Sequence, residues 1–405
     1  MATRRAAIRL SCVIVGGSLA HRGIGCAGSG AVLGALTGGG ARGDGIQLHV
    51  GGEFNAAYMA VFDDDGEGEP GNEHNTDGLF QDAEIHFTGS TVLDNGLEAG
   101  ARIELAGEDD DDSQIDEAWI YFSGGFGEVR MGSLDEALAL MCVFPPGGTE
   151  NFSAFSPNQW GANTLTSNSV CSGVDDEGDA QKLLYLSPIF GGFQLGLSYT
   201  PSGDKKSHAD GVGPHLGMPT NEEDASRHNV SVYGTYSYET EDWSLQVGAG
   251  GSWEGNVEKA DGGPNREESE FYQAGVLVGV EDFSFGASFQ FYHDDDLFVA
   301  TLENGDVIAD RWVLGVGAAY EMEPWTFGIG YSILQANIAV DGAPDEDFTQ
   351  QRAALTASYE LASGIDLDGE LAYTWTNADP ESAPDFSGFA DYDAFEIGTG
   401  IAIEF

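Results

Sequence analysis

Two acidic clusters are the residues of this sequence best suited to bind a metal ion. Residues 63–69 and 109–112 are rich in Asp and Glu, whose carboxylate oxygens are the ligands that Ca²⁺ prefers. Their spacing matches no EF-hand loop, so the sequence favours solvated acidic loops over a built calcium site. We therefore expect no cofactor, with Ca²⁺ at these loops as the alternative.

The residue types that usually carry catalysis are scattered. The eight His show no His-x-x-x-His spacing for zinc, and the sequence has no G-x-S-x-G elbow, phosphate loop or dinucleotide-binding fingerprint. Carboxylate pairs are common in any chain with 68 acids, so they say little about glycosidase chemistry. The sequence predicts that the protein is not an enzyme.

The four cysteines fall into two groups by position. Cys12 and Cys26 lie near the N-terminus, whereas Cys142 and Cys171 are 29 positions apart within one long loop. In an oxidising compartment this second pair could form a disulfide. Two free thiols are the alternative.

The charge of the chain limits its partners. The formal net charge is −53, from 68 acids and 15 bases among 405 residues. Nucleic acid is therefore excluded as a partner, because phosphate would repel the chain. Such charge can also indicate disorder, but 11% aromatic residues argue against disorder for most of the chain.

The elements that must position these residues are β-strands. Gly is abundant with 59 residues, Pro is scarce with 13, and apolar residues alternate with polar ones over many segments. In residues 365–375 the odd positions are mostly apolar and three even positions are acidic. Aromatic residues at the ends of such segments resemble the interfacial girdles of membrane barrels. They are Trp243, Trp253, Tyr272, Trp312, Tyr320, Tyr331, Tyr373 and Trp375.

The N-terminal 45 residues have the features of a signal peptide and leader. Arg4, Arg5 and Arg9 precede a short apolar stretch that ends in the small residues Ser18-Leu19-Ala20. Beyond residue 45 there is no uninterrupted apolar run of about 18 residues, the length that a transmembrane helix needs. A membrane protein without such helices must be a closed barrel.

Turns divide residues 46–405 into about sixteen segments. Short turns, such as those at 94–96, 241–242 and 363–364, alternate with longer acidic stretches. An even number of strands, with short turns at one rim and long loops at the other, is typical of an outer-membrane barrel. We predict an all-β fold, a transmembrane antiparallel β-barrel, and sixteen strands leave room for an aqueous channel.

Several motifs resemble a known family. The segments DAEIHF at 82–87, TVLDNGL at 91–97, ARIEL at 101–105, QIDEAWIY at 114–121 and FGEVRMG at 126–132 look like a hairpin and the next strand pair of Gram-negative general diffusion porins, most closely the alphaproteobacterial type. The terminal IAIEF at 401–405 resembles the Phe-ending strand that the outer-membrane insertion machinery reads. These motifs cover about a sixth of the chain.

The resemblance implies a homotrimer in the outer membrane of a Gram-negative bacterium, in contact with lipid, lipopolysaccharide and the insertion machinery, with Phe405 as the assembly signal. It also implies that the third long loop, residues 132–179, folds inward to narrow the pore. Residues 133–141 could form a short helix capped by Ser133. By position, the constriction has an acidic loop side and a basic wall side. The loop candidates are Asp135 and Glu136, and the wall candidates are Arg102, Arg130, Lys182 and Arg352.

The sequence departs from the family in its charge, because only ten Lys and Arg follow residue 45. A thin basic side and an acidic lumen predict a preference for cations. The expected function is passive diffusion of ions and small hydrophilic solutes. A substrate-specific channel, for example for sugars, is the nearest alternative, while a barrel enzyme and a secreted adhesive protein are more distant ones.

Overall fold

The structure is a computed structural model. It describes residues 45–63, 75–107, 115–155, 168–171, 179–203, 227–255, 269–293, 307–340, 346–378 and 392–405. The N-terminal segment 1–44 and most residues of the acidic clusters at 63–69 and 109–112 lie outside these ranges. The leader and the proposed calcium loops therefore stay predictions.

Sixteen strands and one short helix make up the described chain. The helix is α1, Ala137–Met141. The strands are β1 Gln47–Asp63, β2 Asp77–Val92, β3 Glu98–Ala106, β4 Ile115–Gly124, β5 Gly127–Ser133, β6 Gln181–Leu186, β7 Phe193–Ser202, β8 Arg227–Glu239, β9 Trp243–Glu254, β10 Ser269–Val280, β11 Phe283–His293, β12 Val307–Met322, β13 Trp325–Val340, β14 Glu346–Ala362, β15 Ile365–Ala378 and β16 Tyr392–Glu404.

These strands form one closed antiparallel barrel, which confirms the predicted fold and strand number. Each strand pairs with its neighbours along the chain, and β1 pairs with β16 over a register that runs from Glu53 opposite Glu404 to Asp63 opposite Ala394. Closure leaves the sheet without a free edge, so its backbone polar groups are satisfied within the barrel wall.

The alternation of side chains is inverted relative to a soluble protein. On β15, Leu367, Leu371 and Tyr373 are exposed on the outside, whereas Asp368 and Glu370 are buried on the inside. The aromatic residues expected to form girdles also lie on the outward face, where Trp253 packs edge-on against Tyr272 with ring centroids 5.9 Å apart. An apolar outer surface with aromatic ends is the surface that a lipid bilayer covers.

Short turns join each even-numbered strand to the next odd-numbered one. The β14–β15 turn contains Gly364, whose φ of +74° lies in the left-handed region that side chains rarely adopt. A Cβ there would also overlap the carbonyl oxygen of Glu404 on β16. Among the described residues, no helix is long and apolar enough to cross a bilayer.

The predicted helix at 133–141 is shorter than expected, and its cap is wrong. Ser133 is the last residue of β5, where its backbone pairs with Ala118 on β4 and Gln181 on β6 and so stays extended. The N-cap residue is Glu136, whose side chain makes no capping hydrogen bond. Ladder pairing on both sides of β5 therefore delays the helix by four residues.

Candidate functional site in the barrel lumen

The described parts of the segment between β5 and β6, residues 134–155, 168–171 and 179–180, fold back into the barrel as predicted, and we call this segment the inner loop. Side chains along its described part are almost fully enclosed: Leu134, Leu138, Phe152 and Phe155 are each at most 1% exposed. Its helix α1 packs against β6, β7, β8 and β9. Because the inner loop occupies space inside the wall, it determines how much of the lumen stays open.

Small hydroxyl side chains of the inner wall hold the inner loop. The backbone N–H of Leu138 donates to Ser231 Oγ on β8 at 2.9 Å. Farther around the barrel, Thr356 Oγ1 on β14 donates to the Gly147 carbonyl at 3.0 Å. Ser198 on β7, Ser288 on β11 and Ser332 on β13 make equivalent bonds to the loop backbone. These contacts satisfy loop polar groups that would otherwise be buried without partners.

Glycines of the wall allow the inner loop to approach closely. A Cβ at Gly317 on β12 would overlap the carbonyl oxygen of Pro146, and one at Gly275 on β10 would overlap that of Val143. Any larger residue would push the loop away from the wall. Sequence reasoning did not identify this role, although glycine at inward positions of otherwise regular strands was a possible signal.

An apolar cluster lies between the inner loop and the wall. Phe155, Val170 and Cys171 of the loop pack with Phe271 and Tyr292 of the wall, among others. A disulfide joins Cys142 to Cys171, with Cα atoms 5.9 Å apart. The disulfide therefore ties the residue that follows α1 to the far end of the loop, next to this cluster.

Arg352 of the predicted basic wall is enclosed between two carboxylates. Its Nη1 lies 2.6 Å from Glu396 Oε1 on β16, and its Nη2 lies 2.6 Å from Glu370 Oε1 on β15. Thr374 Oγ1 also accepts a bond from Nη1 at 2.9 Å. The Arg352 side chain is only 1% exposed, and the two carboxylates beside it offset its positive charge.

Lys182, Asp135 and Glu136 lie together at the start of the inner loop. Lys182 Nζ donates to the carbonyl oxygen of Leu134. The Asp135 N–H donates to Glu117 Oε1 at 2.9 Å, and Ser252 Oγ on β9 donates to Glu136 Oε2 at 2.5 Å. Lys182 therefore lies on the same side as the two loop acids. Arg352 is the candidate across from them, because β14 is eight strands from β6 in a closed barrel of sixteen.

Arg102 on β3 and Arg130 on β5 lie on either side of β4 and point inward. Arg102 pairs with Glu104, and its Nη2 lies 3.0 Å from His86 Nδ1. Arg130 Nε donates to Glu128 Oε1 at 2.6 Å, and its guanidinium lies 4.5 Å from the Trp119 ring centroid. Arg102, Arg130 and Arg352 thus each have an acid beside them, which reduces the positive field that they project.

Sequence reasoning missed one inward base and the partners of another. Arg311 on β12 lies over the Tyr292 ring at 3.9 Å from its centroid. Glu370 and Glu396 flank Arg352 from strands β15 and β16. The inward alternation of these residues was the available signal, but only the strand register shows which of them meet.

Glu150 of the inner loop lies among carboxylates. Burial, together with Glu53, Asp368, Glu404 and Asp366, raises the pKa of Glu150 well above its ordinary value. Its neighbour Asn151 is held by Asp368 Oδ2 on β15, which accepts from Asn151 Nδ2 at 2.9 Å. This part of the lumen therefore penalises negative charge and would attract a cation.

Two groups of described side chains bring potential metal ligands together. Glu117, Asp135 and Asp179 offer three carboxylate oxygens within 4.8 Å of one another, and Glu84, His86 and Glu104 offer two oxygens and an imidazole nitrogen at the same spacing. The first donor set suits a hard cation such as Ca²⁺, whereas the nitrogen of the second suits a transition metal.

Comparison with known proteins agrees with this architecture. The monosaccharide porin of a Halomonas species and the major outer membrane protein of Halomonas elongata are each 25% identical to this chain over 233 residues. The match covers 53% of this chain and 56% of each relative, so the chain spans about half the length of the curated relatives it matches.

Solved structures share the fold at low sequence identity. They include the outer membrane channel DcaP of Acinetobacter baumannii (14% identical, TM-score 0.59, covering 89% of this chain and 98% of that one). Two others each cover 89% of this chain and all of their own, with a TM-score of 0.55. They are the in-vitro folded OmpT of Vibrio cholerae in its trimer form, 14% identical, and an anion-selective porin from Comamonas acidovorans, 16% identical.

The family assignment rests on the sequence itself. The model of the Gram-negative porin family matches residues 27–379, most of the chain. The strand number, the barrel closure and the apolar outer face agree with that match. The chain therefore belongs to the Gram-negative porin family and is a β-barrel protein of the outer membrane.

Proposed function

We propose that this barrel is a water-filled pore for passive diffusion of ions and small hydrophilic solutes. The observation that carries the proposal is the inner loop, which is fastened along the wall from β7 to β15 inside a closed barrel of sixteen strands. A barrel of this size encloses more space than the side chains of the wall fill, so the inner loop determines the width of the open channel.

A preference for cations follows from the charges on the inner wall. Inward acids such as Asp82, Glu84, Glu104 and Asp116 outnumber inward bases, and the bases Arg102, Arg130 and Arg352 each contact a carboxylate. The fold alone does not set the sign of selectivity, because the fold-similar porin from Comamonas acidovorans is anion-selective. Wall charge is therefore the basis of the proposal.

The test is the conductance of the purified, folded chain in a planar lipid bilayer under a KCl gradient. We expect large, stable current steps and a reversal potential of the sign that K⁺ selectivity gives. Steps in groups of three would support the homotrimer, for which the trimer form of the fold-similar OmpT is the structural precedent. A folded barrel without conductance would overturn the pore proposal, and anion selectivity would overturn its charge basis.

A monosaccharide channel is the second candidate. It is supported by the Halomonas relative that is named for that function, and by the inward pair Trp119 and Tyr121, whose rings lie 5.7 Å apart beside Arg130. Aromatic faces next to charged groups are suited to sugar rings. Liposome swelling with glucose and with a charged solute of similar size separates the two candidates, because a sugar channel admits glucose faster.

A further inference from the structure

Three inward side chains on β2 and β3 form a compact group of metal ligands. His86 Nε2 lies 2.9 Å from Glu84 Oε2 and 3.7 Å from Glu104 Oε2. The sheet register fixes this arrangement, since His86 is directly opposite Glu104 and Glu84 is two residues from His86 on the same face. Three ligands are therefore preformed on two rigid strands rather than gathered from loops.

The charge around the group is unbalanced. Glu53 on β1 is directly opposite Glu84, which places three carboxylates near one imidazole. Arg102 is the base that contacts this group through Glu104 and His86. The Glu84 and Glu104 side chains are each 3% exposed, so their mutual repulsion is poorly screened by water. A divalent cation would offset this repulsion.

From this arrangement we infer a binding site for a divalent transition metal of the zinc class, with Glu84, His86 and Glu104 as protein ligands. Imidazole nitrogen with carboxylate oxygens is a donor set that Zn²⁺ accepts, whereas Ca²⁺ prefers oxygen alone. The His86 side chain is 18% exposed, so the group is open to the lumen on one side. Water would complete the coordination.

Metal binding requires a change of tautomer at the His86 ring and the loss of its contact with Arg102. Arg102 can only donate, so its contact with Nδ1 makes Nδ1 the acceptor and leaves the ring proton on Nε2. When a metal binds Nε2, the proton must lie on Nδ1 instead, and the Arg102 contact is lost. Arg102 is 29% exposed and can turn toward the lumen. The side chain of Arg102 thus competes with the metal.

The test is equilibrium dialysis of Zn²⁺ against the folded full-length barrel in detergent, with excess Ca²⁺ present to occupy oxygen-only sites. We expect one Zn²⁺ per chain in the wild type and in His228→Gln, a control at an exposed His. Loss of an outer-shell partner alone can cost about 10–100-fold in metal affinity, so His86→Gln should weaken binding by at least about tenfold. Co²⁺ substitution should give visible bands in the wild type that His86→Gln lacks.

Two further variants keep the inference falsifiable if His86→Gln folds poorly. Glu104→Gln should also weaken binding, whereas Arg102→Gln should strengthen it, because the amide oxygen of Gln can accept a bond from Nδ1–H. Equal Zn²⁺ uptake by wild type and His86→Gln, or displacement of Zn²⁺ by Ca²⁺, would overturn the site. If Arg102→Gln binds Zn²⁺ no more tightly than the wild type, the proposed change of tautomer and competition with Arg102 would be overturned. None of these readouts depends on conductance, so they stand apart from the pore proposal.

Discussion

Arg352 on β14 contacts both carboxylate oxygens of Glu396 on β16 through one nitrogen, with Nη1 at 2.6 Å from Oε1 and 2.8 Å from Oε2. Glu370 on the strand between them accepts from the other guanidinium nitrogen. All three side chains are at most 1% exposed. This cluster therefore links β14, β15 and β16 from inside the lumen, away from the lipid.

Removing the base from this cluster should destabilise the barrel strongly. Arg352→Met leaves two buried carboxylates without their cation, a change that costs about 3–5 kcal/mol in comparable buried pairs. The measurement is urea unfolding of the barrel folded into lipid vesicles. Arg130→Met, at a more exposed ion pair, is the control and should cost about 1 kcal/mol or less.

Replacing the acids as well should restore most of the loss. The triple variant Arg352→Met, Glu370→Leu and Glu396→Leu removes every charge of this cluster, and such replacements are often neutral or stabilising. A triple variant as unstable as Arg352→Met would show that packing, and not charge, is what the cluster supplies.

The disulfide should limit motion of the inner loop. The bond holds the residue that follows α1 to the far end of the described loop. The double variant Cys142→Ser and Cys171→Ser should therefore show noisier open-channel current, as should the wild type after reduction. The reductant should not change the current noise of the double variant. If reduction affects both proteins equally, the noise has another source.

The two loop acids should contribute to ion selectivity. Asp135 and Glu136 are only 4% and 3% exposed, respectively. Even at the dielectric constant of water, a unit charge about 8 Å from the ion path is worth about 0.5 kcal/mol, which raises the local cation concentration about twofold. Asp135→Asn with Glu136→Gln should therefore bring the reversal potential under a KCl gradient closer to zero. Glu281→Gln with Asp282→Asn, in the exposed β10–β11 turn, removes the same charge and should shift the potential less. An equal shift in both variants would mean that ion selectivity depends on the net charge of the protein and not on the position of these acids.

Glu150 should make stability depend on pH. Its folded-state pKa is raised by burial and by neighbouring acids, so its contribution is most favourable below the unfolded pKa and is lost as pH rises through the folded pKa. Glu150→Gln should therefore unfold at higher urea than the wild type at neutral pH, and the difference should vanish in acid. Each tenfold change in the acidity constant corresponds to about 1.4 kcal/mol. Glu241→Gln in an exposed turn is the control and should not change the midpoint.

Phe405 should matter for assembly more than for stability. Its backbone is already bonded to Gly52 in both directions, at 2.9 and 3.0 Å, while its side chain is 64% exposed. Phe405→Ala should change the unfolding free energy by about 0.5 kcal/mol or less, as is usual at exposed positions. If Phe405 is the assembly signal, the same variant should reach the outer membrane in reduced amount. Normal yield in cells would contradict that role.

The sequence predicted the barrel well because apolar and polar side chains must alternate along a strand that separates lipid from water. Leu367, Asp368 and Glu370 obey that rule with no knowledge of their neighbours. The position of the inner loop was predicted through family resemblance, but its attachment was not. Ser231 and Thr356 meet the loop because of strand tilt and register, which periodicity does not contain.

The constriction candidates show the same limit. The position of Arg352 in the sequence predicted that it lies on the basic wall. It did not predict the two carboxylate partners, which are 18 and 44 residues farther along the chain. Ser133 was expected to cap a helix, since Ser before an apolar run has that local signature. Pairing of β5 with both of its neighbours prevailed over this local preference.

The pairing of β1 with β16 has a consequence for biogenesis. Glu53 and Glu404 are neighbours in the wall although about 350 residues separate them, and contacts between such distant residues form slowly. Until the last strand arrives, the backbone donors along one side of β1 have no partner, and that edge could pair with another chain. Pairing of β1 with β16 stabilises the finished barrel. Before that pairing forms, the exposed edge of β1 makes the unfinished barrel prone to aggregation.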